Sequence, residues 1–272
     1  MKICSFINSF WLIACIFCIV SCDEESDFIT GPTTSSTMIS GVARTADGMP
    51  LAGVQVSLNY KESVWLGQQV TRHKAKGVTD NEGNYRLYFE LRDDELRDSG
   101  NDASVARNFY LTIDLSSLPE DMYIMPKDIK SDNDGQKLLF YYDNLHFDKG
   151  KYYTHNIYIP RKCWIDVTIV NNGKIEPNDK FVVSNMIKYG GDQLPFNSYY
   201  SNGRVLMEYP VAMTSDRKQT FRVPCALNDS NSIYIGCMEG GVGSYDAVTP
   251  VKKVFVTEGG PKSVRFEIDA AE

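Results

Sequence analysis

The stretch Leu51-Ala52-Gly53-Val54-Gln55-Val56-Ser57-Leu58 decides the fold class of this chain of 272 residues. Its side chains Val54, Val56 and Leu58 are apolar and alternate with polar ones. Because successive side chains of a β-strand point to opposite faces, this period of two residues predicts a strand with one buried and one solvated face.

A second stretch, Val78-Thr79-Asp80-Asn81-Glu82-Gly83-Asn84-Tyr85, predicts a tight turn between strands. Gly83 is free to adopt the positive φ that such turns require. The alternation of apolar and polar residues then returns at Tyr85, Leu87 and Phe89, which predicts that the chain leaves the turn as another half-buried strand.

Strand-like runs separated by turn signals continue to the end of the chain, and no long segment has helical periodicity. These runs are residues 38–43, 109–113, 156–159, 164–170, 180–189, 204–209, 219–223, 232–238, 252–256 and 263–268. We therefore predict an all-β fold of two antiparallel β-sandwich domains, 37–160 and 161–272, with the border at Pro160-Arg161-Lys162. Residues 59–76 are interpreted as a long spacer and the charged residues 91–106 as an insertion.

Three motifs follow one another in the first half: Ile39-Ser40-Gly41-Val42, Asp47-Gly48-Met49-Pro50-Leu51-Ala52-Gly53-Val54-Gln55-Val56 and Thr79-Asp80-Asn81-Glu82-Gly83-Asn84-Tyr85. In this order they resemble the carboxypeptidase regulatory-like domain, a small transthyretin-like β-sandwich. The resemblance covers residues 38–89 and extends to 160, although the spacers are longer than usual. Because its motifs are turn and core residues, it implies a non-catalytic scaffold or binding module.

The N-terminus has the pattern of a lipoprotein signal peptide over residues 1–21. Lys2 is its only charge, an apolar run covers residues 6–20, and Cys22 follows Ser21. The run is shorter than the roughly 20 apolar residues of a membrane-spanning helix. We expect Cys22 to carry a diacylglycerol and a further acyl chain such as palmitate, which would anchor the protein to a membrane without crossing it.

An acidic cluster, Asp23, Glu24 and Glu25, comes directly after Cys22. In the lipoproteins of Bacteroidetes-type bacteria that the chain resembles, such a cluster is a sorting signal for the outer face of the outer membrane. In enteric-type bacteria an Asp at this place would instead be a signal for retention in the inner membrane. Residues 22–36 are otherwise polar and are interpreted as a flexible tether. We expect an outer-membrane protein that faces the cell exterior.

Charge and motifs exclude several classes of function. A net charge of −7 offers no basic face for nucleic acid. The catalytic motifs GxSxG and HExxH and a phosphate-binding glycine loop are absent from the sequence, so no catalytic residue and no cofactor are predicted. The histidines share no metal-binding spacing. A calcium-loop pattern fails because Lys130 stands where a carboxylate is needed, and an Asx turn is the interpretation for Asp128, Asp132, Asp134 and Gly135.

Cysteines Cys163, Cys225 and Cys237 remain after the signal peptide and Cys22 are set aside. An odd number cannot pair completely within one chain. Two interpretations stay open: a disulfide between Cys225 and Cys237, or three buried thiols that act as small apolar residues.

Aromatic residues are the remaining candidates for ligand contact. Trp65, Tyr199 and Tyr200 lie in polar segments where their rings could stack on sugars, although packing between strands explains them equally. We predict a non-enzymatic, lipid-anchored envelope protein that presents a binding or accessory module to an envelope protein or glycan partner. The alternatives are a glycan-binding lipoprotein of a polysaccharide-uptake system, and a hydrolase whose carboxylates the sequence pattern does not reveal.

Overall fold

The computed structural model describes residues 24–29, 31–64, 69–96, 105–129, 139–172, 179–191, 200–201, 204–214, 218–238, 245–260 and 262–268. The regular secondary structure of these residues is β-strand except for one helical turn, α1 (Pro126–Ile129), which confirms the predicted all-β class. None of the helical structure in the described ranges has the length and apolar character that crossing a membrane requires.

The strands lie in two groups along the chain. The first group is β1 (Glu24–Ser26), β2 (Thr37–Arg44), β3 (Gln55–Val64), β4 (Gln69–Val78), β5 (Asn84–Phe89), β6 (Val105–Asp114), β7 (Leu139–Leu145), β8 (Tyr152–Thr154) and β9 (Ile157–Tyr158). The second group is β10 (Lys162–Asn171), β11 (Lys180–Lys188), β12 (Gly190–Gly191), β13 (Tyr200–Ser201), β14 (Arg204–Val211), β15 (Lys218–Ala226), β16 (Asp229–Met238), β17 (Asp246–Ala247), β18 (Lys252–Val256) and β19 (Ser263–Ile268).

The first sandwich packs a sheet of order β1-β4-β3-β6-β7 against a sheet of order β12-β9-β2-β5, in which β8 also pairs with β2. Most pairings are antiparallel, while β1–β4, β2–β8 and β2–β9 are parallel. The predicted inward residues are all buried in the core between the sheets: Val54, Val56, Leu58, Tyr85, Leu87 and Phe89. The period of two therefore identified the buried face of both strands correctly.

Residues 59–76 are not a spacer, which corrects the sequence interpretation. Residues 59–64 belong to β3 and residues 69–76 to β4, its antiparallel partner, and a β-bulge at Leu58/Asn59 leaves Lys74 as the extra residue of β4, between Ala75 and His73. The strand pattern was hidden because Lys74 is a charged residue that is nevertheless fully buried. Its charge is balanced by partners distant in sequence.

The second sandwich packs a sheet of order β15-β10-β19 against a sheet of order β13-β14-β11-β16-β17, with β18 paired to β16. Its core holds inward residues from both sheets, among them Ile165 and Val167 of β10 and Ile233 and Ile235 of β16. Two sandwiches are thus present, as the spacing of strands and turns predicts.

The two sandwiches share packed residues at the predicted border. Gly190–Gly191 of the second group pairs with Ile157–Tyr158 of the first. Ile187, Tyr189 and Val205 belong to the core cluster of the first sandwich. The halves on either side of Pro160 are therefore joined by a strand pairing and by a common core.

The interpretation of residues 22–36 as a flexible tether is corrected for residues 24–27, which pair with β4. Strand β1 runs parallel to β4, with Glu24 opposite Thr71 and Ser26 opposite His73. The Asp27 amide donates to the His73 carbonyl at 2.8 Å. An unpaired edge of β4 was available to this segment, and the backbone groups on one side of the segment pair there instead of with water.

Candidate functional site

A groove of about 360 Å³ lies on the outer face of the sheet that contains β1, and we call it the β1 groove. It is lined by Ser26, Phe28, Gln55, Ser57, Asn59, His73, Ala75, Lys76 and Thr112. The floor comes from β3, β4 and β6, and the wall comes from β1 and the residues just after it.

The strand period places the floor. Val56 and Leu58 point inward and are buried in the core. Their neighbours Gln55, Ser57 and Asn59 therefore share the opposite face, which is the face of the groove. The same alternation that predicts the strand thus predicts which of its residues are available to a ligand.

A chain of hydrogen bonds fixes the polar groups at one end of the floor. Asn59, which is 4% exposed, donates from Nδ2 to Thr112 Oγ1 at 3.1 Å. Its Oδ1 lies 2.6 Å from His73 Nδ1. Since the amide oxygen can only accept, the proton of this hydrogen bond belongs to His73 Nδ1. The chain holds the imidazole ring in one orientation above the sheet.

The wall supplies an apolar surface next to these polar groups. Phe28 is 52% exposed although it is a large aromatic residue. Among the described residues that line the groove, Lys76 is the one Lys, Arg, Asp or Glu. The β1 groove therefore combines one aromatic face with amide, hydroxyl and imidazole groups, a composition suited to a neutral, polar ligand with an apolar face.

A buried charge cluster, the Lys74 cluster, holds the wall in place. Lys74 Nζ lies 2.7 Å from Asp27 Oδ2 and 2.9 Å from Glu95 Oε1. The Lys74 and Glu95 side chains are 1% and 0% exposed. Arg92 also pairs with Asp27. Asp27, the residue that follows β1, therefore forms ion pairs with two cations of the first sandwich, Lys74 and Arg92.

The pKa of Asp27 reflects this cluster. Burial acts to raise the pKa of the carboxyl group, but the hydrogen bonds and charges of Lys74 and Arg92 outweigh burial and lower it below the ordinary value of 3.8. Asp27 is therefore a carboxylate at neutral pH and accepts both hydrogen bonds.

A second groove, of about 640 Å³, lies over β2 and β5, but its polar groups serve the local fold. The Asp80 carboxylate accepts from the amides of Glu82 at 3.0 Å and Asn84 at 2.7 Å. Asn156 Oδ1 accepts from the Val42 amide at 3.2 Å. These bonds stabilise a turn and a strand end, so the β1 groove is the better candidate site.

The residues predicted as sites are placed only in part. Cys22, Asp23, Trp65 and Tyr199 lie outside the described residues. Glu24 and Glu25 form β1, and Tyr200 forms β13, through their described backbones.

Sequence reasoning missed Phe28, Gln55, Ser57 and Asn59. The outward half of the β3 alternation was the signal for the three polar residues, whereas Phe28 carried none. His73 has no predicted role, yet it lies in the groove.

Cys163, Cys225 and Cys237 are free thiols in the structure, and Cys225 faces Cys163 instead of Cys237. Cys225 stands directly opposite Cys163 in the β10–β15 ladder, and their sulfur atoms are 3.0 Å apart. Cys237 lies on β16 in the other sheet, opposite Phe181. Strands β15 and β16 are consecutive in sequence but belong to different sheets, which separates their cysteines.

Metal ligands do not cluster within the described ranges: no group of at least three His, Cys, Asp or Glu is positioned to hold an ion there. Asp128 Oδ2 pairs with Lys162 Nζ at 2.7 Å, close to the end of α1. Asp132, Asp134 and Gly135 fall outside the described residues.

Comparisons with known proteins identify no family. No protein-family model matches the chain, and no curated protein matches it. Solved structures similar to it include the Bacillus anthracis TIE protein, with 10% identity and a TM-score of 0.26 over 86% of this chain and 34% of that one.

Two pilins are also among the similar structures. A streptococcal ancillary pilin has 14% identity and a TM-score of 0.27 over 87% of this chain and 63% of its own. The shaft pilin SpaA from Lactobacillus rhamnosus GG has 12% identity and a TM-score of 0.26, over 88% and 98% respectively. Likeness at this level establishes neither the family nor the activity of the chain.

Proposed function

We propose that the protein is a non-enzymatic, lipid-anchored protein of the outer membrane that presents a binding module at the cell surface. The observation that carries the proposal is the position of β1. The segment that begins two residues after Cys22 is folded onto the first sandwich, and Ser26 and Phe28 from this segment line the β1 groove. The proposed anchor and the candidate binding site thus belong to one continuous piece of chain.

The grooves support a binding role. Glycoside hydrolysis commonly needs two carboxyl groups about 5–9.5 Å apart. Among the described residues, the β1 groove is lined by no carboxylate and the second groove by Asp80 alone. Because both Asp80 oxygens accept hydrogen bonds from Glu82 or Asn84, this carboxylate has a structural task already.

Mass spectrometry of the mature N-terminus tests the anchor. We expect the chain to begin at Cys22 and to carry a diacylglycerol on sulfur and an acyl group on nitrogen. Protease treatment of intact cells should then degrade the folded domains. An unmodified Cys22, or a mature chain that begins elsewhere, would contradict the anchor, and complete protection would contradict the outward orientation.

Replacement of Asp23 by Ala separates sorting from folding. Asp23 is the one acidic residue of the cluster that precedes β1, whereas changes at Glu24 and Glu25 also alter a strand. Surface exposure that persists in Asp23→Ala would show that this residue is not the sorting signal.

A glycan ligand is the second candidate, and the composition of the β1 groove favours it. The exposed Phe28 ring offers an apolar face to the CH groups of a sugar. The Gln55 and Ser57 side chains have no hydrogen-bond partner among the described residues and can pair with hydroxyl groups.

Phe28→Ala should weaken glycan binding about tenfold, which corresponds to about 1.4 kcal/mol. The measurement is titration of the detergent-solubilised protein with the oligosaccharide that binds best on a glycan array. Tyr152→Ala is the matched control, because Tyr152 is an aromatic residue, 75% exposed, on β8 outside the groove. Equal losses in both variants, or no array signal for the unmodified protein, would reject the glycan candidate and leave the anchor proposal intact.

A further inference from the structure

Two cysteines face each other across the β10–β15 ladder. Cys163 and Cys225 are register partners in an antiparallel pair, and their Sγ atoms are 3.0 Å apart. Directly opposed residues in such a pair have Cα atoms about 4.5–5.5 Å apart. Disulfides form at Cα separations of about 4.4–6.8 Å, so no movement of either strand is needed to join them.

The two sulfur atoms differ in reactivity. Cys225 is fully buried, whereas Cys163 is only partly buried. The hydrogen bond to Cys225 lowers the pKa of Cys163, and the positive charges of Lys262 and Arg161 add to this effect against its burial. The same hydrogen bond, together with burial, raises the pKa of Cys225. Cys163 is therefore the thiol that ionises and attacks first.

We propose that Cys163 and Cys225 form an intramolecular disulfide that fastens β10 to β15. In the exported location of the proposed function the thiols meet an oxidising compartment, and the inference rests on that location only for its occurrence in the cell. Cys237 stays outside the bridge because it lies in the opposite sheet. Of the three cysteines that remain after lipidation, this pairing joins two and leaves Cys237 outside the disulfide.

The oxidant is a disulfide donor, either a dithiol–disulfide oxidoreductase or a small disulfide such as oxidised glutathione. The Cys163 thiolate attacks one donor sulfur and expels the other as a thiolate, which gives a mixed disulfide. Cys225 then loses its proton and attacks Cys163 Sγ, and the remaining donor sulfur leaves as a second thiolate. In total the two cysteine thiols are oxidised to one disulfide, the donor is reduced to two thiols, and the two protons lost by the cysteines are taken up by the donor thiolates.

The bridge would close a long loop of chain that contains β11 to β14, which belong mainly to the opposite sheet. A cross-link stabilises the folded state more when the loop it closes is longer, because it restricts the unfolded chain. It would also secure the start of β10, where the Lys162 amide donates to the Met122 carbonyl at 2.7 Å and links the two sandwiches.

The test uses the purified mature protein incubated with oxidised glutathione and then unfolded in a thiol-alkylating reagent. We expect one cysteine, Cys237, to be alkylated without reductant and all three after reduction. Peptide mapping should recover Cys163 joined to Cys225. Reduction should lower the melting temperature by about 5–10 °C for a chain of this size.

Cys237→Ala is the matched control and should keep both the cross-link and the effect of reduction, whereas Cys163→Ser should lose both. Alkylation of all three cysteines in the oxidised wild-type protein, or a cross-link that includes Cys237, would overturn the inference. The alkylation pattern of the oxidised wild-type protein tests the disulfide directly, so the test does not depend on whether a variant folds. If the disulfide does not form, the proposal that Cys22 is lipidated still stands, because mass spectrometry of the mature N-terminus tests it separately.

Discussion

Replacing Lys74 with methionine is expected to destabilise the protein by about 3–5 kcal/mol and to release β1 from the first sandwich. Methionine retains most of the length of the side chain but removes its charge. The fully buried Glu95 carboxylate then loses its closest cation, and Asp27 loses one of its two. Glu95 keeps Arg72 as a partner, at 3.4 Å, and a buried charge that has lost its closest partner costs more than the ion pair contributes, which explains the size of the effect.

Chemical denaturation measures the loss of stability, and hydrogen exchange of residues 24–27 measures the release of β1. Lys149→Met is the matched control, because Lys149 pairs with Asp93 in the same loop but both side chains are largely exposed. Such a pair contributes about 0–1 kcal/mol. A double variant, Lys74→Met with Glu95→Leu, should recover part of the stability because the fully buried carboxylate is removed together with its closest cation. Equal effects of Lys74→Met and Lys149→Met would contradict the role of burial.

Acid should release β1 through the same cluster. The folded-state pKa of Asp27 is lowered from 3.8, so the carboxylate form is favoured by folding. Its contribution is therefore complete above about pH 5 and is lost as the pH falls below 3.8 toward the lowered value. Protection of residues 24–27 should be constant between about pH 7 and 5 and decrease near pH 3. In Asp27→Asn this decrease should disappear.

Gly83→Val should destabilise the first sandwich by about 3 kcal/mol or more. Gly83 has a φ of 78°, a conformation that a β-branched residue resists. A Cβ atom at this position would lie 2.4 Å from the Ala43 carbonyl oxygen, and the Gly83 carbonyl accepts the Ala43 amide at 2.8 Å. The substitution therefore strains the turn and separates it from β2 at the same time.

Gly48→Val distinguishes these two causes. Gly48 has a similar φ of 88°, but a Cβ atom there would meet nothing within 4 Å. Strain alone should cost about 1–2 kcal/mol. Denaturation curves of the two variants should therefore differ by the cost of the clash with Ala43. If Gly48→Val lowered the free energy of unfolding as much as Gly83→Val, the clash with Ala43 would not contribute to the effect.

The sequence predicts the strands of this fold well because a half-buried strand has a local signature. Val54, Val56 and Leu58 are buried as their alternation predicts, and the turn residue Gly83 has the expected positive φ. These features depend on neighbours within a few residues. The all-β class followed from repeated signals of this kind.

The remaining features depend on contacts between distant parts of the chain. Lys74 belongs to a strand only because Asp27 and Glu95 neutralise it, and β1 is a strand only because β4 offers it an edge. The groove joins residues from β3, β4 and β6 to Phe28, and Cys163 meets Cys225 through strand register. Composition and spacing contain no information about these pairings.

The docking of β1 determines how high the protein stands above a bilayer. With Cys22 acylated as proposed, Asp23 alone separates the lipid from β1, a distance of about 7 Å at 3.3 Å per residue. The first sandwich would then rest on the headgroups with little freedom to tilt, and the β1 groove, whose wall is this same segment, would open at headgroup level. A ligand would therefore bind at the membrane surface. A ligand that is itself held on the membrane would reach the groove by diffusing in two dimensions.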